Sequence, residues 1–400
     1  MALTTVREKY FQSGSRAAAA QCFLELLEKN KPRIDETKHL IEQIYRFETP
    51  DRPVIYFNVE RTPDWRFNGK NTFQYDYVKS SWVSSDLDKL LDDNVQRIMF
   101  QLERFPEADY VPTLRGGGAS IGSMYGVEST PIPGRGGSIL KKKVISDLEA
   151  DLPRIPDIDP ANTPQGIKAL EIVQFLSEVS EGKIPIVYPG MGGPLNTAAS
   201  LMGMSEMMMA SCTSIGALKE LVNHIMANIA RMTQAFQKIV DPDMLVPRFR
   251  LYQPSWAQAV LVDDFISVVR PEHYFEICAD AYRNLSDTAG MIFLHTCGPV
   301  IPCADTLAKL PGLAGFETCF INGNSRTTRE IGEMKTSLSS NSVLNCFGLP
   351  TATDVFNGLV DDPENLTPEW IEEMYEGGGF IFQNCGTPEE GKQLLSALGL

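Results

Sequence analysis

From residue 54 onward, short apolar runs alternate with longer stretches in which apolar positions return every three or four residues. The runs are Val54 to Val59, Tyr110 to Leu114, Ile184 to Tyr188, the Phe249 to Val262 region, Met291 to Leu294, Gly315 to Thr318, Val343 to Phe347 and Phe380 to Gln383. Each has strand length, and the stretches between the later ones have helical periodicity. These are Glu206 to Val240, Pro271 to Ala289, Ala304 to Leu310, Ser325 to Glu333 and Pro368 to Glu376. The first fifty residues read differently, as two helices over Ser15 to Lys29 and Asp35 to Phe47.

Strands interleaved with helices imply a parallel sheet, and eight of them is the number that closes a (β/α)8 TIM barrel. The expectation is therefore an α/β protein with an N-terminal helical extension over residues 1–50. A single barrel domain follows over 51–400, with an irregular excursion at about 115–160. An open doubly wound sheet is the alternative, because closure leaves no mark on a sequence. The excursion carries Gly116-Gly117-Gly118, Gly134-Arg135-Gly136-Gly137 and Lys141-Lys142-Lys143. The lysines read as a solvated face.

In a barrel, chemistry gathers at the C-terminal ends of the strands. Those ends carry Asn58 and Glu60, Arg115, Gly190-Met191-Gly192-Gly193, Asp263-Asp264, His295 with Cys297, Glu317, Asn345 with Cys346, and Cys385. The strand bodies are apolar, so the polar groups concentrate where a site belongs.

His295-Thr296-Cys297 is the most specific of these. An imidazole and a thiol two positions apart, closing a buried run, aim soft-metal ligands into one space. Cys385, at a neighbouring strand end, makes a set of nitrogen and sulfur donors that suits catalytic zinc with an open position. A core histidine satisfied by a backbone carbonyl is the plainer reading of His295 alone. Cys303 and Cys319 compete with Cys385 for the third place. Cys303 follows Pro302 at a helix start, where a structural role fits better. Cys319 faces the same way as Glu317. Glu317 is a candidate fourth, exchangeable ligand. His39, His224 and His273 lie in helical contexts without this pattern.

Glycines 190, 192 and 193 follow a strand but lack the remaining residues of a nucleotide loop. They suit the close approach of a ligand, or of a partner's cofactor, to the backbone. The methionine-rich segment Met202 to Met209 is either an adaptable lip or a buried helix end.

Composition narrows the partners. The chain has 400 residues, with 51 acidic against 36 basic side chains and a net charge of −15, which argues against nucleic acid. No apolar run approaches the length of a membrane span, and the N-terminus lacks a signal-peptide core. A cytoplasmic, membrane-free protein is expected. The eight cysteines show no disulfide spacing.

Four segments together carry a family resemblance: Gly193-Pro194-Leu195-Asn196-Thr197-Ala198-Ala199, Asp263-Asp264 with Ser267 to Phe275, His295-Thr296-Cys297-Gly298, and Asn384-Cys385-Gly386-Thr387-Pro388. With them the chain, over roughly residues 50 to 400, resembles the uroporphyrinogen decarboxylase superfamily, in its corrinoid (cobalamin)-dependent methyltransferase branch. The resemblance implies a (β/α)8 barrel with zinc held by His295, Cys297 and Cys385. It further implies methyl transfer between a small molecule (a thiol, methyl ether, methylamine or similar) and the cobalt of a separate corrinoid-binding protein. Glycines 190, 192 and 193 would then line the opening where the corrin approaches. Asp263 or Asp264 would act as acid/base or orienting group, and Glu317 as the exchangeable ligand.

The decarboxylase branch is the rival. Its arginine-rich grip, of the form Arg-Gln-Ala-Gly-Arg, is replaced here by Asn58-Val59-Glu60-Arg61-Thr62-Pro63-Asp64. One arginine with two acids holds a poly-carboxylate poorly. A non-catalytic barrel that binds a corrinoid or tetrapyrrole is the remaining alternative.

Overall fold

The computed structural model describes residues 14–59, 87–116, 120–131, 138–246, 252–254, 259–296, 298, 300–319, 328–338, 342–347 and 368–397. Its first element is α1 (Gly14–Tyr45), one continuous helix running through Pro32. The sequence pattern predicts two helices here. Leu26, Leu27 and Ile34 pack on the core from both sides of Pro32. That shared burial outweighs the one backbone hydrogen bond that proline removes.

Then come β1 (Ile55–Val59), α2 (Leu87–Arg104) and β2 (Leu114–Arg115). The excursion is more ordered than its composition suggests. It contains an antiparallel hairpin of β3 (Glu128–Pro131) and β4 (Ser138–Lys142), in which Lys142 stands opposite Glu128. Neither strand shows apolar alternation, which is why the pattern misses them. Just beyond, Val144 N–H bonds the Leu201 carbonyl at 2.8 Å, folding the excursion back over the next layer. Lys143 pairs with Glu206. Lys142 and Lys143 are thus surface ion pairs.

The chain continues through α3 (Pro164–Val179), β5 (Ile186–Val187), α4 (Pro194–Met202), α5 (Met204–Thr213) and α6 (Ile215–Gln237). Helix α3 starts by rule: Pro164 takes the first position, and the Thr163 hydroxyl accepts the Gly166 N–H at 3.1 Å. The predicted helix over 206–240 is two helices, broken at Ser214. On α6, Leu218, Leu221, Val222, Ile225, Ile229, Met232 and Phe236 recur at helical spacing and are buried. Each such side chain contributes about 1.5–3 kcal/mol relative to exposure.

The second half holds β6 (Leu245–Val246), β7 (Ala259–Val262), α7 (Pro271–Ala289), β8 (Ile292–Thr296), α8 (Ala304–Lys309) and β9 (Leu313–Cys319). It ends with α9 (Thr328–Leu338), β10 (Val343–Phe347), α10 (Pro368–Tyr375), β11 (Phe380–Gly386) and α11 (Pro388–Ala397). Of the fourth predicted run, the Phe249 to Val262 region, β7 forms the end, while β6 lies wholly before residue 249 and is not predicted.

These strands form two parallel sheets, ordered β1-β11-β10-β9-β8-β7 and β2-β5-β6. The fold is accordingly α/β with helical crossovers between parallel strands. A parallel bridge between Tyr56 and Asp109 joins the sheets on the β1 side. Asp109 secures that seam: it accepts the Ile55 N–H at 3.0 Å and pairs with Arg52 at 2.8 Å. No pairing of β6 with β7 is present among the described residues. No helix among them is long and apolar enough to cross a membrane.

Candidate metal centre at the strand ends

Parallel pairing puts in-register residues of neighbouring strands on the same face. Val262, His295, Glu317, Asn345 and Ile381 form such a row across β7, β8, β9, β10 and β11. Position 385 lies on the same face of β11, beyond Ile381, and is in register with Asn58 of β1. His295 and Cys385 are therefore not on adjacent strands. Strands β9 and β10 stand between theirs.

Within this row the His295 Nδ1 atom lies 2.8 Å from the Glu317 carboxylate, and both side chains are 2 % exposed. A carboxylate against Nδ1 favours a proton on that nitrogen, which would leave Nε2 to any metal bound there. The pair is a histidine with a carboxylate that can orient it. Cys297 lies outside the described residues. For Cys385 the strand position is described and the side chain is not. Among the described residues, no group of three or more histidine, cysteine or acidic side chains is assembled.

The turn after the triplet is tied down. The Thr296 hydroxyl reaches Asp264 at 3.4 Å and accepts the Gly298 N–H at 3.3 Å, while Thr318 donates to the Gly298 carbonyl at 3.4 Å. Gly298 also passes so near Ser267 that a Cβ would stand 2.0 Å from its hydroxyl. Cys303 is buried, with its thiol on the Ile266 carbonyl at 3.1 Å, and burial raises its pKa. That is the structural role expected of it.

Asp263 and Asp264 separate into different environments. Asp263 is fully buried. It accepts the Leu195 and Asn196 N–H groups, each at 3.1 Å, capping the N-terminus of α4, and the Tyr274 hydroxyl at 3.0 Å. Tyr274 in turn meets the Tyr282 hydroxyl at 3.1 Å. Burial pushes the Asp263 carboxyl up to about 7 despite these donors. Asp264, half-buried, exchanges bonds with Asn196: its N–H donates to Oδ1 at 3.1 Å and its carboxylate accepts from Nδ2 at 3.3 Å.

Glycines 190, 192 and 193 sit in the turn between β5 and α4. A Cβ on Gly193 would come within 2.5 Å of the Val262 carbonyl and 2.7 Å of the Asp263 Cβ. Gly193 is thus accounted for by the contact of this turn with β7 that places α4 on its cap. Sequence reasoning missed Tyr274 and Tyr282. Their only signal was eight-residue spacing along the buried face of α7.

No family model matches the chain, and no curated protein matches it in sequence. Among solved structures, it is similar to a methyltransferase from Methanosarcina mazei, with a TM-score of 0.59 at 15 % identity over 91 % of this chain and 98 % of that one. At that identity the likeness shows a shared fold.

Proposed function

We propose that the chain is a zinc-dependent methyltransferase, moving a methyl group between a small molecule and the cobalt of a corrinoid protein docked over the strand ends. The observation that carries this reading is the buried His295–Glu317 contact, at a strand end two residues before Cys297. The name of the Methanosarcina mazei protein, a methyltransferase with the same fold, supports the reaction class.

In this reading the two parallel sheets, which hold nine strands among the described residues, close into one barrel of the (β/α)8 type. His295 would bind zinc through Nε2, and Cys297 and Cys385 through their thiolates. The bound metal would bring a thiol to its nucleophilic thiolate near neutral pH, or polarise a methylated sulfur, oxygen or nitrogen. Glu317 fixes the tautomer and direction of the imidazole, which gives it work beyond that of an exchangeable ligand. Asp264, half-buried beside Thr296, is the acid/base candidate, and Asp263 orients the helix that follows Gly193. Gly190, Gly192 and Gly193 would border the opening toward the corrin.

The test is incubation with cob(I)alamin and a panel of methylated thiols, ethers and amines. Growth of the methylcobalamin spectrum supports transfer. Corrinoid affinity without turnover would favour a non-catalytic barrel, and decarboxylation of a porphyrinogen would favour the rival branch.

A further inference from the structure

The N-terminal helix ends against the sheet that carries the candidate ligands. Tyr45, the last residue of α1, is buried, and its hydroxyl makes no close hydrogen bond among the described residues. Burial raises its pKa, the Asn345 side chain, near enough for a weak hydrogen bond, opposes the shift, and the Glu317 charge adds to it. Gly315, two residues before Glu317 on the same face of β9, leaves room for it: a Cβ there would stand 3.1 Å from the hydroxyl. The helix end is fastened, since the Gly379 N–H bonds the Ile44 carbonyl at 3.0 Å. The Gly379 carbonyl in turn accepts the Leu344 N–H at 2.9 Å, next to Asn345.

Asn345 is the second unusual group. It is fully buried, in register with Glu317 on one side as His295 is on the other. Neither end of its amide has a close hydrogen-bond partner among the described residues, the Tyr45 hydroxyl lying against it more loosely. Buried polar groups are almost always satisfied, because an unmet one keeps its full desolvation cost. The two donors among them, the Tyr45 hydroxyl and the Asn345 amide N–H, have an acceptor in the neighbouring carboxylate.

We propose that Tyr45 and Asn345 are positioning residues for the metal centre: they close on the Glu317 carboxylate and, through it, hold the His295 imidazole in its ligating orientation. The N-terminal helix is then part of the site's support. This inference rests on the reading of His295 as a zinc ligand.

The test is zinc affinity, measured by competition with a chromophoric chelator, together with the visible spectrum of the cobalt(II)-substituted protein. Tyr45→Phe and Asn345→Leu should each weaken zinc binding about tenfold, within the range usual for groups behind a metal ligand. Both should alter the cobalt spectrum while the metal-free protein melts as a cooperative unit. Tyr45→Phe combined with Glu317→Gln should be no weaker than Glu317→Gln alone, because both act through one carboxylate. Native affinity in the two single variants, or effects that multiply in the double variant, would overturn the inference and leave the zinc reading standing. A native chain that binds no zinc would overturn the zinc reading, and the inference with it.

Discussion

The His295 Nδ1 atom and the Glu317 carboxylate meet at 2.8 Å across neighbouring strands β8 and β9, in a place where each is 2 % exposed. In the proposed site a neutral imidazole held this way would turn its Nε2 lone pair to the metal. Glu317→Gln keeps the shape but exchanges an obligate acceptor for a group that can also donate, so the tautomer is no longer fixed. Zinc affinity should fall about 10- to 100-fold, against near-complete loss in His295→Ala. Equilibrium competition against a chelator distinguishes the two.

The cysteines should divide cleanly. Cys303→Ser keeps a donor for the Ile266 carbonyl and should cost about 1 kcal/mol of stability, with metal content unchanged. Cys297→Ser and Cys385→Ser should lose the metal with folding retained. Elemental analysis beside a thermal melt checks all three.

Gly298→Ala should damage the fold and the metal centre together, because its Cβ would stand 2.0 Å from the Ser267 hydroxyl and 2.5 Å from the Ser267 Cβ. Overpacking of this kind costs about 1–3 kcal/mol. Removing the obstacle in the double variant Gly298→Ala, Ser267→Gly should recover most of the lost zinc affinity. Failure of that rescue would show that the turn needs glycine for another reason.

Asp263 sets a pH dependence with a defined sign. Its folded-state pKa, about 7, lies above the ordinary 3.8, so the folded chain holds a proton that the unfolded chain releases. Its contribution is fully present below about pH 4 and is lost as pH rises to about 7, by an amount on the order of 4 kcal/mol. Asp264 adds to the upward shift, and Tyr274, Tyr282 and Cys278 face the same carboxyl. Asp263→Asn should flatten the slope of stability between pH 5 and 7.5. It should also lower stability at the acid end, since the carboxamide nitrogen would replace one of the two oxygens that accept the Leu195 and Asn196 N–H groups and, as a donor, cannot accept either. Chemical denaturation at a series of pH values measures both effects.

Much of this was legible in the chain because it is local. The runs ending at Val59, Leu294, Phe347 and Gln383 are strands, and Pro271 to Ala289 is a helix with those bounds. Cys303 sits where a proline-led helix start puts it. What was not legible depends on distant partners. Gly193 is explained by the Val262 carbonyl, and Asp263 by N–H groups some seventy positions earlier. Tyr45 meets residues about three hundred positions away. The hairpin of β3 and β4 was hidden because its two large apolar residues, Ile139 and Leu140, are adjacent and fall on opposite faces, so no alternation marked it. The one-helix N-terminus was hidden by Pro32, whose local cost is offset by burial that no local pattern displays.

The central claim is that His295, Cys297 and Cys385 form one zinc site. The most direct measurement is zinc content per chain in protein purified without chelator, for the native chain and for Cys297→Ser and Cys385→Ser. The account predicts about one zinc per native chain, and loss of zinc from folded protein in either variant. A metal-free native chain whose Cys297 and Cys385 thiols alkylate freely, or variants that keep their zinc, would contradict it.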